Sequence, residues 1–166
     1  MECHIGPIQQ ILDSAQIDGK DGLKRITHFP PESFDRILLD PPCSALGLRP
    51  KLLVPHTTLE ELQKHASYQR KFVAQAVALL KPGGFMTYST CTISCEENEK
   101  MVHYILLNYP RMKLMPTNAN IGRSGLGGCG LSDAQRELVR RFDPHDRDAD
   151  TMGFFMAMFQ KDLVAT

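Results

Sequence analysis

The stretch Phe34-Asp-Arg-Ile-Leu-Leu-Asp-Pro-Pro-Cys-Ser44 opens as a short apolar strand over 34–40 and breaks at Pro41 and Pro42, neither of which can donate to a β ladder. Downstream, Thr58 with Glu61 makes a capping-box pattern. Leu62, Ala66, Val73, Ala76, Val77 and Leu80 then fall on one face of a long helix, which Lys81-Pro-Gly-Gly84 ends. Phe85 to Ser89 reads as a second buried strand. Ser94 with Glu97 predicts the start of another helix, carrying Met101, Val102, Ile105 and Leu106 and stopping before Pro110. Strand, helix, strand, helix predicts an α/β fold: a mostly parallel sheet with crossover helices, in which 34–40 and 85–89 pair in parallel. The run from Gly153 to Phe159 supplies a last buried strand. Upstream, Ile8, Ile11, Leu12 and Ala15 lie at helical spacing, and 18–22 reads as a turn.

Composition narrows the class. A chain of 166 residues with 42% hydrophobic residues predicts one folded domain, and no internal repeat or long linker divides it. No stretch reaches the ~20 consecutive apolar residues of a membrane helix, and 1–10 lacks the basic flank and apolar stretch of a signal peptide. The expected location is cytoplasmic, with no membrane partner. Lys plus Arg and Asp plus Glu balance at 19 each, which excludes bulk-charge binding of nucleic acid. Any RNA contact is then local, for example at Arg136, Arg140 and Arg141. Five cysteines without a C-x-x-C pair argue for free thiols rather than a disulfide scaffold or a common zinc site, and the six histidines show no ligand spacing. No metal is expected.

Ligands of open parallel sheets gather beyond the carboxyl ends of the strands. Here those ends are Asp40-Pro-Pro-Cys43 and Ser89-Thr-Cys-Thr92, so neighbouring strands would bring two thiols and a carboxylate together. A helix beginning near Ser94 would favour the Cys91 thiolate through its dipole and free N–H groups. Position alone leaves Cys91 between a nucleophile and a small buried strand-end residue. The loop Gly125-Leu-Gly-Gly-Cys-Gly130 matches G-x-G-x-x-G formally. It follows no strand, however, and reads as a surface loop near substrate.

These residues carry a family resemblance. Phe34 to Ser44 resembles the D-A-P-C-S element, and Tyr88-Ser-Thr-Cys-Thr92 the S-T-C-T element, of NSUN-family RNA cytosine-5 methyltransferases, with Pro41 in place of the usual Ala. The likeness continues through Leu80-Lys-Pro-Gly-Gly84, Glu97-Asn-Glu99, 122–131, Arg141-Phe-Asp-Pro144 and Gly153-Phe-Phe155, and so spans about 34–161. It is nearest to the sixth, PUA-bearing branch, whose enzymes modify tRNA near the acceptor end. A second pattern, the D-P-P-aromatic element of amino-group methyltransferases, is disfavoured because Cys43 stands where the aromatic would be.

The resemblance implies the C-terminal part of a Rossmann-like class I methyltransferase domain. It implies S-adenosyl-L-methionine as cofactor and RNA, tRNA first, as partner, without DNA; it leaves the oligomeric state open. By resemblance Cys91 is the nucleophile, Cys43 assists release of the covalent adduct, and Asp40 holds the cytosine or cofactor edge. Phe154 faces the flipped base or is a core phenylalanine, and Asp18 sits near the adenine or is a plain turn residue. The family's glycine-containing cofactor loop lies well upstream of D-A-P-C, and only 33 residues precede Phe34. Residues 1–166 are therefore expected to form a partial domain without that loop and without a PUA domain. Two functions follow as expectations: an RNA cytosine-5 methyltransferase, or a non-catalytic RNA- or partner-binding fragment of one.

Overall fold

The computed structural model describes residues 16–18, 25–49, 56–147 and 149–163. Strands β1 (Gln16–Asp18) and β2 (Arg25–His28) pair antiparallel in a small sheet of their own. A second sheet contains β3 (Phe34–Leu39), β4 (Leu80–Thr90), β5 (Met112–Met115), β6 (Arg140–Phe142) and β7 (Phe154–Lys161). Its order is β3-β4-β7-β5, with β6 also on β7. Helix α1 (Leu59–Leu79) crosses from β3 to β4, α2 (Glu99–Asn108) follows β4, and α3 (Asp133–Arg136) is a single turn. The helical spacing over 8–15 lies outside the described residues.

The expected parallel pair is present, with Ile37 opposite Met86 and Leu39 opposite Tyr88. The other three pairings are all antiparallel to β7. Since β4, β5 and β6 each oppose β7, they run the same way as β3, and β7 is the one reversed strand of this sheet. Four strands therefore send their carboxyl ends to one side, where β7 begins.

Local chemistry explains the boundaries and two departures from the sequence reading. The capping box of α1 forms as expected: Glu61 N–H donates to Thr58 Oγ1 at 3.2 Å, and Thr58 N–H donates to Glu61 Oε2 at 2.8 Å. The helix ends at Leu79 because Leu80 is already extended and Lys81 precedes Pro82, which disfavours the helical region. Lys81–Gly84 is not a terminating loop. It is a bulged opening of β4, where two steps on β3 (Phe34 to Arg36) answer five on β4 (Leu80 to Phe85). Lys161, buried at the end of β7, caps the last carbonyls of α1, donating to Val77 O at 3.0 Å and Leu80 O at 2.8 Å.

The second departure is at Ser94 and Glu97. No capping box forms there: α2 starts at Glu99 after Asn98, and Glu97 turns inward to bonds described below. Cys91 therefore lies well before the helix, and the dipole argument for its thiolate does not apply.

One face of the sheet is covered. Met86, Tyr88 and Thr90 stand opposite Phe159, Ala157 and Phe155, all buried beneath Val73 and Ala76 of α1 and Met101, Val102 and Ile105 of α2. Fully burying one such large side chain contributes about 1.5–3 kcal/mol. The other face, carrying Leu38, Phe85, Thr87 and Met158, has no helix on it among the described residues. Leu38 there is 77% exposed, beside a cavity of about 490 Å³.

Candidate active site

Because Leu39 pairs with Tyr88, the segments leaving β3 and β4 emerge side by side. The first holds Asp40, Pro41, Pro42 and Cys43; the second holds Cys91 and Thr92. The sulfurs of Cys43 and Cys91 come to 3.3 Å from one another, and both residues are half-buried. Burial pushes the Cys43 thiol up to about 11, against an opposing hydrogen bond from the Ala45 backbone. At neutral pH Cys43 is thus a protonated sulfur able to donate to Cys91.

The Cys43 loop is fastened at both sides. Gly47 N–H donates to Cys91 O at 3.0 Å, and Gly153 N–H, just before β7, donates to Gly47 O at 2.7 Å. The backbones approach so closely that a Cβ on Gly47 would stand 2.3 Å from Gly153 O, and one on Gly153 would stand 2.6 Å from Gly47 Cα. Only glycine fits this crossing. Arg49 extends the tether, donating to Thr151 O at 2.6 Å and to Asp150 Oδ1 at 3.1 Å.

Beneath the thiols lies a buried polar network. The Glu97 carboxylate, fully buried, accepts from Ser44 N–H at 3.0 Å, Ser44 Oγ at 2.6 Å and Gln69 Nε2 at 2.8 Å. Gln69 also donates to Pro42 O at 3.1 Å, and the Tyr88 hydroxyl donates to Gln69 Oε1 at 3.0 Å and Glu97 O at 2.7 Å. Ser44 and Thr92 hydroxyls lie 2.8 Å apart. Burial drives the Tyr88 phenol well above its ordinary value, and the nearby Glu97, Cys43 and Asp40 add to that rise. Tyr88 is therefore a fixed donor.

Of the residues singled out from sequence, Cys43 and Cys91 meet, and Asp40 stands exposed at the end of β3. Phe154 is half-buried at the start of β7; Phe155 pairs with Thr90, so the next positions along that register are Phe154 and Cys91. Its ring centroid is 6.3 Å from that of Phe142. The Asp18 side chain and Gly19 lie outside the described residues. An exposed carboxylate at a strand end suits a hydroxyl, amide or ammonium donor, so Asp40 is chemically suited to one edge of a cofactor or base.

The local basic patch does not form as expected. Arg141 is buried, with its guanidinium on Glu99 at 3.0 and 3.1 Å and on the Ile93 carbonyl. Arg140 donates to Ala119 O at 3.0 Å, and Arg136 donates to Gly125 O at 2.7 Å. These arginines hold loops. The glycine-containing loop is a loop as expected, packed on the first turn of α2, where Leu126 N–H donates to Glu99 Oε1 at 2.9 Å. The site also holds Glu97 and Gln69, for which the sequence carries one signal: Gln69 is a polar residue within the apolar stripe Ala66, Val73, Ala76.

A sheet with crossover helices and candidate chemistry beyond the carboxyl ends of its strands defines a Rossmann-like α/β fold, and comparison with known proteins makes it part of a methyltransferase domain. The chain belongs to the 16S rRNA methyltransferase RsmB/F family, whose model matches residues 9–160. An rRNA (cytosine-C(5))-methyltransferase, NOP2C of Arabidopsis thaliana, is 48% identical over 79% of the chain and 23% of its own length. The tRNA (cytosine(72)-C(5))-methyltransferase NSUN6 of Mus musculus is 43% identical over 83% of the chain and 30% of its own length. Among solved structures, NSun6 from Pyrococcus horikoshii with SFG superposes at a TM-score of 0.65 with 41% identity, covering 78% of the chain and 30% of its own. The chain thus spans less than a third of each of these proteins.

Proposed function

We propose that the chain carries the thiol half of an RNA cytosine-5 methyltransferase centre. The 3.3 Å approach of Cys43 and Cys91, on adjacent strand ends, is the observation that carries this reading. Cys91 is the nucleophile toward position 6 of a cytosine, and Cys43, protonated at rest, stands within hydrogen-bonding reach of the Cys91 sulfur. S-adenosylmethionine, when bound, supplies the methyl group; the relative solved with SFG, an analogue of it, supports that choice. On release the proton at position 5 passes to a base from solvent, its electron pair re-forms the 5,6 double bond, and the carbon–sulfur pair returns to Cys91, whose departing sulfur Cys43 assists by donating its hydrogen bond. Asp40 holds an edge of the base or cofactor, and Phe154 faces the extruded base. The NSUN6 relatives support tRNA as substrate, and the NOP2C relative supports rRNA.

The test uses a methylation-competent form that contains these residues, with RNA and cofactor. Cys91→Ala is expected neither to methylate nor to crosslink. Cys43→Ala is expected to stall as a protein–RNA adduct that survives denaturing electrophoresis, and the double variant loses the adduct. An adduct formed through Cys43 without Cys91 reverses the assignment. The second reading, a non-catalytic RNA- or partner-binding fragment, is favoured by the exposed Leu38 face; it expects RNA retention with no adduct in any variant.

A further inference from the structure

We propose that Glu97 is a positioning residue, whose buried carboxylate keeps Cys43 against Cys91 by gripping Ser44. This rests on the reading of the thiol pair as the reacting centre. Ser44 directly follows Cys43, and its backbone N–H and hydroxyl both end on Glu97, at 3.0 and 2.6 Å. Thr92 directly follows Cys91, and its hydroxyl meets Ser44 Oγ at 2.8 Å. The clamp therefore acts on the residue next to each sulfur without touching either. Gln69 and Tyr88 anchor its far side: Gln69 binds Glu97 and the Pro42 carbonyl, and Tyr88 binds Gln69 and the Glu97 carbonyl. The carboxylate so joins the Cys43 loop to α1, and the Glu97 backbone carbonyl joins both to Tyr88 of β4.

The carboxylate accepts all three donors that reach it, one of them through a charge-assisted bond from a hydroxyl. Ser44 N–H, Ser44 O–H and Gln69 N–H all point at it, and none is a cation. An amide of the same shape would set its NH₂ against Ser44 Oγ, which would then accept and turn its own proton toward Thr92, so the charge-assisted Ser44–Glu97 bond is replaced by a weaker neutral one. A buried carboxylate held only by neutral groups is a poor device for stability, so its effect is sought in the geometry of the thiols.

Thiol juxtaposition can be read without turnover. With oxidised glutathione, Cys43 and Cys91 give up two protons and two electrons, forming one disulfide and two glutathione thiols. The rate of that bond in the 166-residue chain, followed by mass spectrometry of the Cys43–Cys91 crosslinked peptide, is expected to fall about tenfold in Glu97→Gln, the scale of one lost charge-assisted hydrogen bond. Ser44→Ala, which keeps the N–H contact, should fall by a smaller factor and serves if Glu97→Gln does not fold. Val73→Ala, a core change that lowers stability, should leave the rate unchanged. Unchanged rates in both clamp variants, or equal slowing by Val73→Ala, overturn the proposal. In a methylation-competent form Glu97→Gln should lower kcat with KM unchanged and raise the share of RNA held as adduct. If no adduct forms even in Cys43→Ala, the methyltransferase reading fails, and the disulfide rate alone decides the role of Glu97.

Discussion

The proposed division of labour between Cys43 and Cys91 rests on their close approach, and the protonation of Cys43 bears on it. The Cys43 thiol is raised from 9.0 to about 11, chiefly by burial. Between those values the unfolded chain gives up the proton and the folded one keeps it, so this contribution to stability is complete below pH 9 and is lost as pH rises toward 11. Urea midpoints measured from pH 8 to 10.5 should therefore fall, and fall less steeply in Cys43→Ser. An equal slope in both proteins would show that Cys43 is not the group responsible. The two thiols were legible in the sequence because each follows an apolar strand, and strand ends are where parallel sheets gather ligands. The inward turn of Glu97 is hidden for a physical reason: a Ser-x-x-Glu pattern is the same whether the carboxylate reaches back to a helix cap or turns inward to a tertiary partner. The burial of Arg141 is hidden likewise, since sequence does not show that Glu99 lies within its reach.

At the scale of elements, the Cys43 loop depends on the crossing of Gly47 and Gly153. Gly153→Ala forces a methyl group to within 2.6 Å of Gly47 Cα and 2.6 Å of Ile93 Cγ2. The expected cost is about 2 kcal/mol, read from urea unfolding. The Cys43–Cys91 disulfide should also form more slowly, because the displaced loop is the one that carries Cys43. A variant as stable as the native chain would show that the loop is free to move. Strands 34–39 and 85–89 and the start of α1 were readable from periodicity and the Thr58 cap. The opening of β4 was not, because Lys-Pro-Gly-Gly reads as a stop signal and only its pairing with β3 makes it strand. The reversal of β7 was likewise hidden, since direction follows from connection and not from the apolar pattern.

For the whole molecule, the sheet has one covered face and one open face with Leu38 77% exposed, and β3 lies at its edge among the described residues. Of the cofactor residues argued from sequence, Asp40 is the one whose side chain is described, an exposed carboxylate at the end of β3. Because the resemblance assigns most of the cofactor's hold to a glycine-containing loop that the sequence does not match, calorimetric titration of the 166 residues with S-adenosylmethionine should give weak or undetectable binding. Micromolar affinity of the 166 residues alone would contradict this.

Which sulfur bonds to cytosine decides the mechanism. RNA carrying 5-fluorocytosine, incubated with cofactor and a methylation-competent form containing these residues, holds the adduct, because fluorine in place of the departing proton blocks release. Digestion and peptide mass spectrometry then locate the bond. The expected result is a nucleotide attached to the peptide containing Cys91, with Cys43 unmodified. Attachment at Cys43, or methyl transfer to unmodified RNA with no bond to either cysteine, would contradict it.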